Sequence, residues 1–260
     1  MADLEPDPGG FAIQFHEFRL QDYHKLRILH FGCHQESETP QCNRAGRKDP
    51  ESLEIGVMVF CPPETGKSIL PHPAKAVLFD GLLPASECGL IFSRIREEVQ
   101  WQSREIVLFG KKIMQPRLVA WQGDPGCAYR YSGVTWNPDP WSPEVQKIRE
   151  LVSRVTGSFF NGVLLNLYRD GSDSMGWHSD DEPELGEEPV IASVSLGEPR
   201  RFLFRKIGNP EEKVETLLQD GSLLVMSGQA QQLWQHSLPK SARVKDPRIN
   251  LTFRKIDPHS

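Results

Sequence analysis

The alternation of apolar and polar positions changes character near residue 160. Ahead of it, two stretches have helical periodicity. Residues 84–100, PASECGLIFSRIREEVQ, place Leu90, Ile91, Ile95 and Val99 on one stripe, and Ser86 is the expected N-cap. In SPEVQKIRELVSRVTG, Val145, Ile148, Val152 and Val155 make the buried stripe. Ser142 is its expected cap, Pro143 sits in the first turn and Gly157 ends it. Between them, WQSREIVLFGKKIMQPRLVAWQGDPG carries two strand-like runs about Gly110 and Lys111, a hairpin pattern with Phe109 near its tip. From residue 163 short strands follow one another: VLLNLYR, PVIASVSLG, RRFLFRK, KVETLLQ, SLLVMSG, LWQHSLP and RINLTFRKI. They alternate apolar and polar residues or are β-branched, and turn-rich pieces separate them. That spacing predicts an antiparallel sandwich or barrel of the jelly-roll kind. Residues 1–75 yield less: FAIQFHEFRL is a strand or short helix, LEIGVMVFCPP a short strand, and the segment between them ends in a polar, turn-rich loop.

Composition narrows the class. The 260 residues are enough for one large domain with an extension, and no apolar run approaches a membrane span. The first residues lack a basic region followed by an apolar core, so no secretory signal is expected. Five scattered cysteines fit reduced thiols in an intracellular setting, nuclear or cytoplasmic, better than a disulfide framework. His30, Cys33, His34 and Cys42 lie close together, yet their spacing matches no standard zinc pattern. The net charge of −5 gives no general pull toward nucleic acid. Residues 180–188 are acidic. Arg200, Arg201, Arg205, Lys206 and the C-terminal stretch are basic, either a phosphate-facing rim or ordinary solvated charge.

The candidate chemistry sits in VLLNLYRDGSDSMGWHSDDE. His178 and Asp180 are two apart, so in extended chain they project to one side. An imidazole beside a carboxylate supplies two ligands of a 2-His-1-carboxylate iron site, and His236 in LWQHSLP is the candidate third. An H-x-D pair alone is weak, since roughly 0.4 arise by chance in such a chain. The last strand adds context. Arg248, Asn250, Thr252 and Arg254 share one face, and Ile249, Leu251 and Phe253 share the other. A face with two guanidinium groups suits a dianionic ligand. Fully extended, the two arginines stand roughly 20 Å apart at Cα, so both reach one small ligand only if the strand curves or their side chains converge. Tyr129 and Tyr131 share a strand face, either as a base-stacking wall or as half-buried packing. Phe109 is either a wedge between bases or a core residue.

Together HSDDE, NLYRDGSD, PVIASVSLG, WQH and PRINLTFR resemble the AlkB family of Fe(II)- and 2-oxoglutarate-dependent dioxygenases, over roughly residues 76–257. LFGK, WQGDPG and YRYSG resemble its branch that repairs N-alkylated DNA, some members of which act on RNA. The fold this implies is α+β and mainly β, a double-stranded β-helix with flanking helices and nucleotide-recognition hairpins. Residues 1–75 would be an N-terminal extension, partly irregular, and 76–260 the dioxygenase domain. Within that domain 76–160 would hold the helices and hairpins and 161–257 the jelly-roll core.

The resemblance assigns His178, Asp180 and His236 to Fe(II), and Asn166, Tyr168, Arg248, Asn250, Thr252 and Arg254 to 2-oxoglutarate. It assigns Tyr129, Tyr131, Asp181 and Glu182 to the flipped base and Phe109 to the gap it leaves. Gly110, Lys111 and Arg200 are further expected substrate contacts. The implied reaction consumes O2 and 2-oxoglutarate, oxidises an N-methyl group of a base such as 1-methyladenine or 3-methylcytosine, and releases succinate, CO2 and formaldehyde. A base modified on its Watson–Crick edge must leave the stack, and one that cannot pair leaves more cheaply. HSDDEP resembles the single-strand-preferring members and LFGK and YSGVT the duplex-acting ones, so strand preference stays open. The expected partner is alkylated DNA, or RNA, with no membrane and a monomeric chain. The alternatives are an RNA demethylase and a non-catalytic jelly-roll binding protein.

Overall fold

The computed structural model describes residues 66–108, 111–131 and 134–257. Two short strands, β1 (Lys67–Ser68) and β2 (Ala74–Phe79), lead into helix α1 (Ala85–Glu98). Four strands and a second helix follow: β3 (Glu105–Leu108), β4 (Lys111–Met114), β5 (Leu118–Gly123), β6 (Tyr129–Tyr131), β7 (Val134–Trp136) and α2 (Pro143–Thr156). The rest is β8 (Gly162–Tyr168), β9 (Met175–His178), β10 (Ile191–Gly197), β11 (Arg200–Lys206), β12 (Asn209–Leu218), β13 (Leu223–Gly228), a one-turn helix α3 (Ala230–Leu233), β14 (Trp234–Leu238) and β15 (Arg248–Arg254).

Two antiparallel sheets carry the fold. The larger runs β1-β2-β13-β10-β15-β8-β5 and the smaller β12-β11-β14-β9. Strand periodicity divides the larger sheet's side chains between two layers. Val163, Leu165 and Leu167 of β8, Ala192, Val194 and Leu196 of β10, and Ile249, Leu251 and Phe253 of β15 pack with the helices. Residues of opposite parity, such as Val119, Trp121, Leu164, Ile191 and Leu224, pack with Phe204, Leu218 and Trp234 of the smaller sheet. The order is therefore helices, large sheet, small sheet, as in a jelly roll. The large sheet also takes β1, β2 and β5, which precede residue 161.

Both helices depart from their expected details. α1 begins at Ala85 with Pro84 at its cap position and no side-chain cap bond, so Ser86 lies inside the first turn. Its buried residues are Cys88, Ile91 and Ile95, continued by Val99, while Leu90 is 56% exposed. Successive helical residues are about 100° apart, and a stripe centred on 88, 91 and 95 turns Leu90 outward. In α2, Ser142 holds the cap position without a side-chain cap bond. Its N–H instead donates to Gln122 Oε1 at 3.0 Å. Leu151 joins the buried stripe and Gly157 ends the helix at φ 65°, the left-handed conformation a glycine accepts without strain.

The hairpin expected about Gly110 and Lys111 is β3–β4, with Leu108 opposite Lys111. Phe109 and Gly110 lie outside the described residues, as do His30, Cys33, His34, Cys42 and the elements expected in FAIQFHEFRL and LEIGVMVFCPP. Tyr129 and Tyr131 lie on β6, opposite Trp136 and Val134. Their side chains, like that of Lys111, lie outside the described residues. Among the described residues no helix is long and apolar enough to cross a membrane.

Candidate metal centre and cosubstrate cleft

A cleft of about 490 Å³, measured out to its open mouth, lies between the sheets. The large sheet lines it with the even-numbered residues of two adjacent strands: Leu164, Asn166 and Tyr168 from β8, and Arg248, Asn250, Thr252 and Arg254 from β15. Asn250 is the cross-strand partner of Asn166, and Arg248 of Tyr168. The alternation in RINLTFR thus places the expected polar face on the cleft, with Ile249, Leu251 and Phe253 fully buried behind it.

The smaller sheet brings the three candidate iron ligands together. His178, the last residue of β9, lies opposite His236 of β14. Asp180 sits two residues past the end of β9, in the loop rather than in the strand. Candidate ligand atoms of all three lie within 4.8 Å of one another. His178 Nε2 is 3.8 Å from Asp180 Oδ1, and His236 Nε2 is 4.0 Å from Asp180 Oδ2. The ring centroids of the two histidines are 4.2 Å apart. Phe202 of β11 stacks on His236 at 5.4 Å and fixes that ring.

The surroundings keep these groups in ligand form. Burial would raise the Asp180 carboxyl, but Arg254, His236 and His178 outweigh it and bring it down to about 2. Arg254 Nη2 donates to Asp180 Oδ1 at 2.9 Å. Burial, with the neighbouring His178, lowers His236 to about 3. Burial also lowers His178, against the pull of Asp180. Neutral imidazoles beside a carboxylate are the donor set a ferrous ion takes. His178 Nδ1 lies 3.0 Å from the Gly176 carbonyl. A carbonyl only accepts, so the proton sits on Nδ1 and the Nε2 lone pair is left for a metal. The three residues therefore fit Fe(II).

The other end of the cleft is a cationic slot. Arg248 is 1% exposed. Its Nη2 donates to Ser195 Oγ at 2.9 Å and to Asn250 Oδ1 at 2.8 Å. Its Nε and Nη1 are buried with no hydrogen-bond partner. A buried guanidinium with two donors unused costs free energy unless an acceptor enters, and a carboxylate fits that fork. Burial lowers Arg248 to about 10, still cationic at neutral pH. The residues thus fit the distal carboxylate of a diacid. Asn250 lines the cleft, but its amide is occupied: Oδ1 accepts from Arg248 and Ser193, and Nδ2 donates to Thr252 Oγ1 at 2.7 Å. It braces the slot.

Other expected contacts lie elsewhere. Asp181 is exposed and Glu182 half-buried, and neither lines the cleft. Arg200 requires a correction: it is 2% exposed, and its guanidinium donates to the carbonyls of Asp170, Asp173 and Pro239. With those donors spent on the backbone it is a buried brace, not a contact on a substrate face. Several residues that shape the site escaped the pattern reading. Arg117 donates through Nε to Asn166 Oδ1 at 2.8 Å and fixes that amide. Gln231 Oε1 accepts from the Asp180 N–H at 2.9 Å. Ser193 and Ser195, polar positions of the cleft-facing parity in IASVSLG, were the readable signal for β10.

The 2OG-Fe(II) oxygenase superfamily profile matches residues 75–254. The chain is 39% identical over 194 residues to human alpha-ketoglutarate-dependent dioxygenase alkB homolog 3, covering 71% of this chain and 67% of that one. It is 43% identical over 187 residues to the Mus musculus DNA oxidative demethylase ALKBH2, covering 68% and 78%. The solved structure of OsALKBH1 superposes with a TM-score of 0.51 at 20% identity, over 69% of this chain and 97% of that one, a likeness of fold.

Proposed function

Because this chain belongs to the 2OG-Fe(II) oxygenase superfamily, in its alkB-homologue branch, we propose that it oxidatively demethylates N-alkylated bases in DNA. The observation that carries the reading is the pairing of two sites in one cleft. Three ligand atoms gather at one end, and Arg248 holds two unused donors at the other.

His178, Asp180 and His236 would hold Fe(II), and Arg248 the distal carboxylate of 2-oxoglutarate, with Asn166 and Tyr168 beside it. When bound, the iron would supply the chemistry by which O2 and 2-oxoglutarate hydroxylate the N-methyl carbon, one oxygen atom going to succinate and the other to the methyl, with CO2 released and formaldehyde lost on collapse of the product. The chain's own work is to orient and exclude. Arg254 holds the Asp180 carboxylate ionised and aimed, and Phe202 keeps His236 from rotating. Leu164, Met175, Met226 and Leu238 give the cleft apolar walls that limit water. Tyr129, Tyr131, Asp181 and Glu182 are the assigned base contacts, and a cationic methylated base would favour the two acids. Phe109, between β3 and β4 in the sequence, is the assigned filler of the gap in a duplex. The free, buried thiols of Cys88 and Cys127 are compatible with a reducing compartment.

The test is formaldehyde release from oligonucleotides carrying 1-methyladenine or 3-methylcytosine, as single-stranded DNA, duplex DNA and RNA. Release should require both iron and 2-oxoglutarate and vanish in His178→Ala. Release from RNA alone would move the substrate class, and none from any of the three would sink the reading. Phe109→Ala should impair duplex repair more than single-strand repair, and equal losses would reject the gap-filling role.

A further inference from the structure

We propose that Arg200 is a positioning residue for the cosubstrate, a second buried cation that, through Tyr168 and Arg248, makes the slot selective for a 2-oxo acid with a distal carboxylate. This rests on the reading that Arg248 receives that carboxylate.

Four observations carry it. First, Arg200 and Arg248 approach one aromatic ring: their guanidinium carbons lie 5.7 Å and 5.5 Å from the Tyr168 centroid. Tyr168 and Arg248 both line the cleft, whereas Arg200 stands behind them. Second, Arg200 is among the most deeply buried side chains, yet no carboxylate bonds it: its hydrogen-bond partners are the neutral carbonyls of Asp170, Asp173 and Pro239. The Asp173 carboxylate is taken instead by Arg169, through its backbone N–H, Nε and Nη2. The acids near it, Asp173, Asp170 and Glu198, act on it at longer range without bonding it, so its charge is only partly compensated and its field persists in a low-dielectric interior.

Third, that field reaches the slot. Burial is the main cause that lowers Arg248, and the charge of Arg200 lowers it further. Two like charges held this close raise the energy of the empty slot, and an entering carboxylate relieves it. Fourth, the carbonyls that Arg200 grips belong to two loops that close this end of the cleft. Asp170 and Asp173 lie between β8 and β9, and Pro239 begins the segment between β14 and β15. The loops also meet directly: Ser241 N–H donates to the Gly171 carbonyl at 2.8 Å and Gly171 N–H to the Val244 carbonyl at 3.2 Å. A Cβ at Gly171 would collide with the Ser241 carbonyl, so only glycine allows this approach. Arg200 therefore holds the frame of the slot and charges it.

The experiment separates charge from framework by using two ligands. Fe(II)-loaded protein is titrated anaerobically by calorimetry with 2-oxoglutarate and with pyruvate, a 2-oxo acid that lacks the distal carboxylate. Two neutral variants are used, because Arg200→Met abandons the three carbonyls whereas Arg200→Gln keeps an amide donor for them. Either should bind 2-oxoglutarate about tenfold more weakly while pyruvate changes by less than about twofold. Arg200→Lys, which keeps the charge and loses the planar fork, should retain the wild-type preference between the two acids. Equal losses for both acids, or an unchanged preference in the neutral variants, would overturn the proposal and leave a structural brace. Failure of the wild type to bind 2-oxoglutarate at all would sink the underlying reading, and the proposal with it.

Discussion

Arg254 and Arg248 occupy one face of β15 at opposite ends of the cleft, and both are almost wholly buried, at 3% and 1% exposure. Arg254 meets a charge that the fold itself supplies, the Asp180 carboxylate at 2.9 Å. Arg248 donates only to the neutral Ser195 hydroxyl and Asn250 amide, with no anion supplied by the fold. An arginine with a built-in anion serves architecture and holds a metal ligand in place. A buried arginine with no built-in anion is prepared for one that arrives from outside. Residue type and strand parity are the same, so the distinction lies in the loop after β9, which brings a carboxylate to one arginine and not to the other.

Breaking the pair at the metal end should have the largest effect. Arg254→Met leaves the Asp180 carboxylate buried beside two imidazoles without its cation. A loss of about 3–5 kcal/mol in the metal-free protein is expected, the usual result of orphaning one partner of a buried pair. Denaturant melts measure it, and a cost below about 1 kcal/mol would show that the pair contributes little. Arg248→Met should behave differently. The apparent affinity for 2-oxoglutarate should fall by about 10–100-fold, the worth of charge-assisted hydrogen bonds of about 1.5–3 kcal/mol. Its thermal midpoint without ligand should hold or rise, since the variant removes an uncompensated buried charge. If both variants lost stability alike, the contrast between the two ends would be wrong.

Acid should sharpen the same contrast. In the metal-free protein His236 is held near 3 against an ordinary 6.5, and His178 is lowered too. Between those values the unfolded chain binds protons that the folded chain does not, so stability rises with pH. The contribution is whole above about 6.5 and drains away as pH falls toward about 3. Asp180, held at about 2 against 3.8, adds a further loss below that range. Thermal melts from pH 7 to 5 should therefore descend. His236→Gln should flatten the slope by up to one proton, about 1.4 kcal/mol per pH unit. Arg248→Met should leave that slope untouched, because Arg248 stays charged throughout.

Most of the strands and the cleft-facing side of β15 were legible because the two-residue period of RINLTFR admits one burial pattern. The register that sets His178 opposite His236 was not, since pairing between distant strands is fixed by the whole sheet. Arg200 shows the limit most clearly. In RRFLFRK it is one of four cations at a strand's ends, and nothing local separates it from the exposed Arg201. Only the fold shows that one spends its donors on loop carbonyls while the other pairs with Glu215 at the surface. Leu90 erred the other way: the neighbouring Ile91 is buried, but a one-residue step turns the side chain to water.

The smallest expected effect tests how tightly the ligand-facing arginine is aimed. Arg248 Nη2 has two hydrogens, one for Ser195 Oγ and one for Asn250 Oδ1. Ser195→Ala removes only the first acceptor, and the second still restrains the guanidinium plane. The expected cost is about 0.5–1.5 kcal/mol, or roughly a 2- to 12-fold weaker apparent affinity for 2-oxoglutarate. Iron binding should not change, because the serine touches nothing at the metal end. Ser193→Ala should cost less still: Ser193 Oγ donates to Asn250 Oδ1, not to the arginine, and Asn250 keeps its bonds to Arg248 and Thr252. Calorimetric titration of the two serine variants beside Arg248→Met should give the order Arg248 above Ser195 above Ser193. A Ser193 variant weaker than the Ser195 variant would mean that Asn250, rather than the serine on Arg248 itself, sets the direction of the fork.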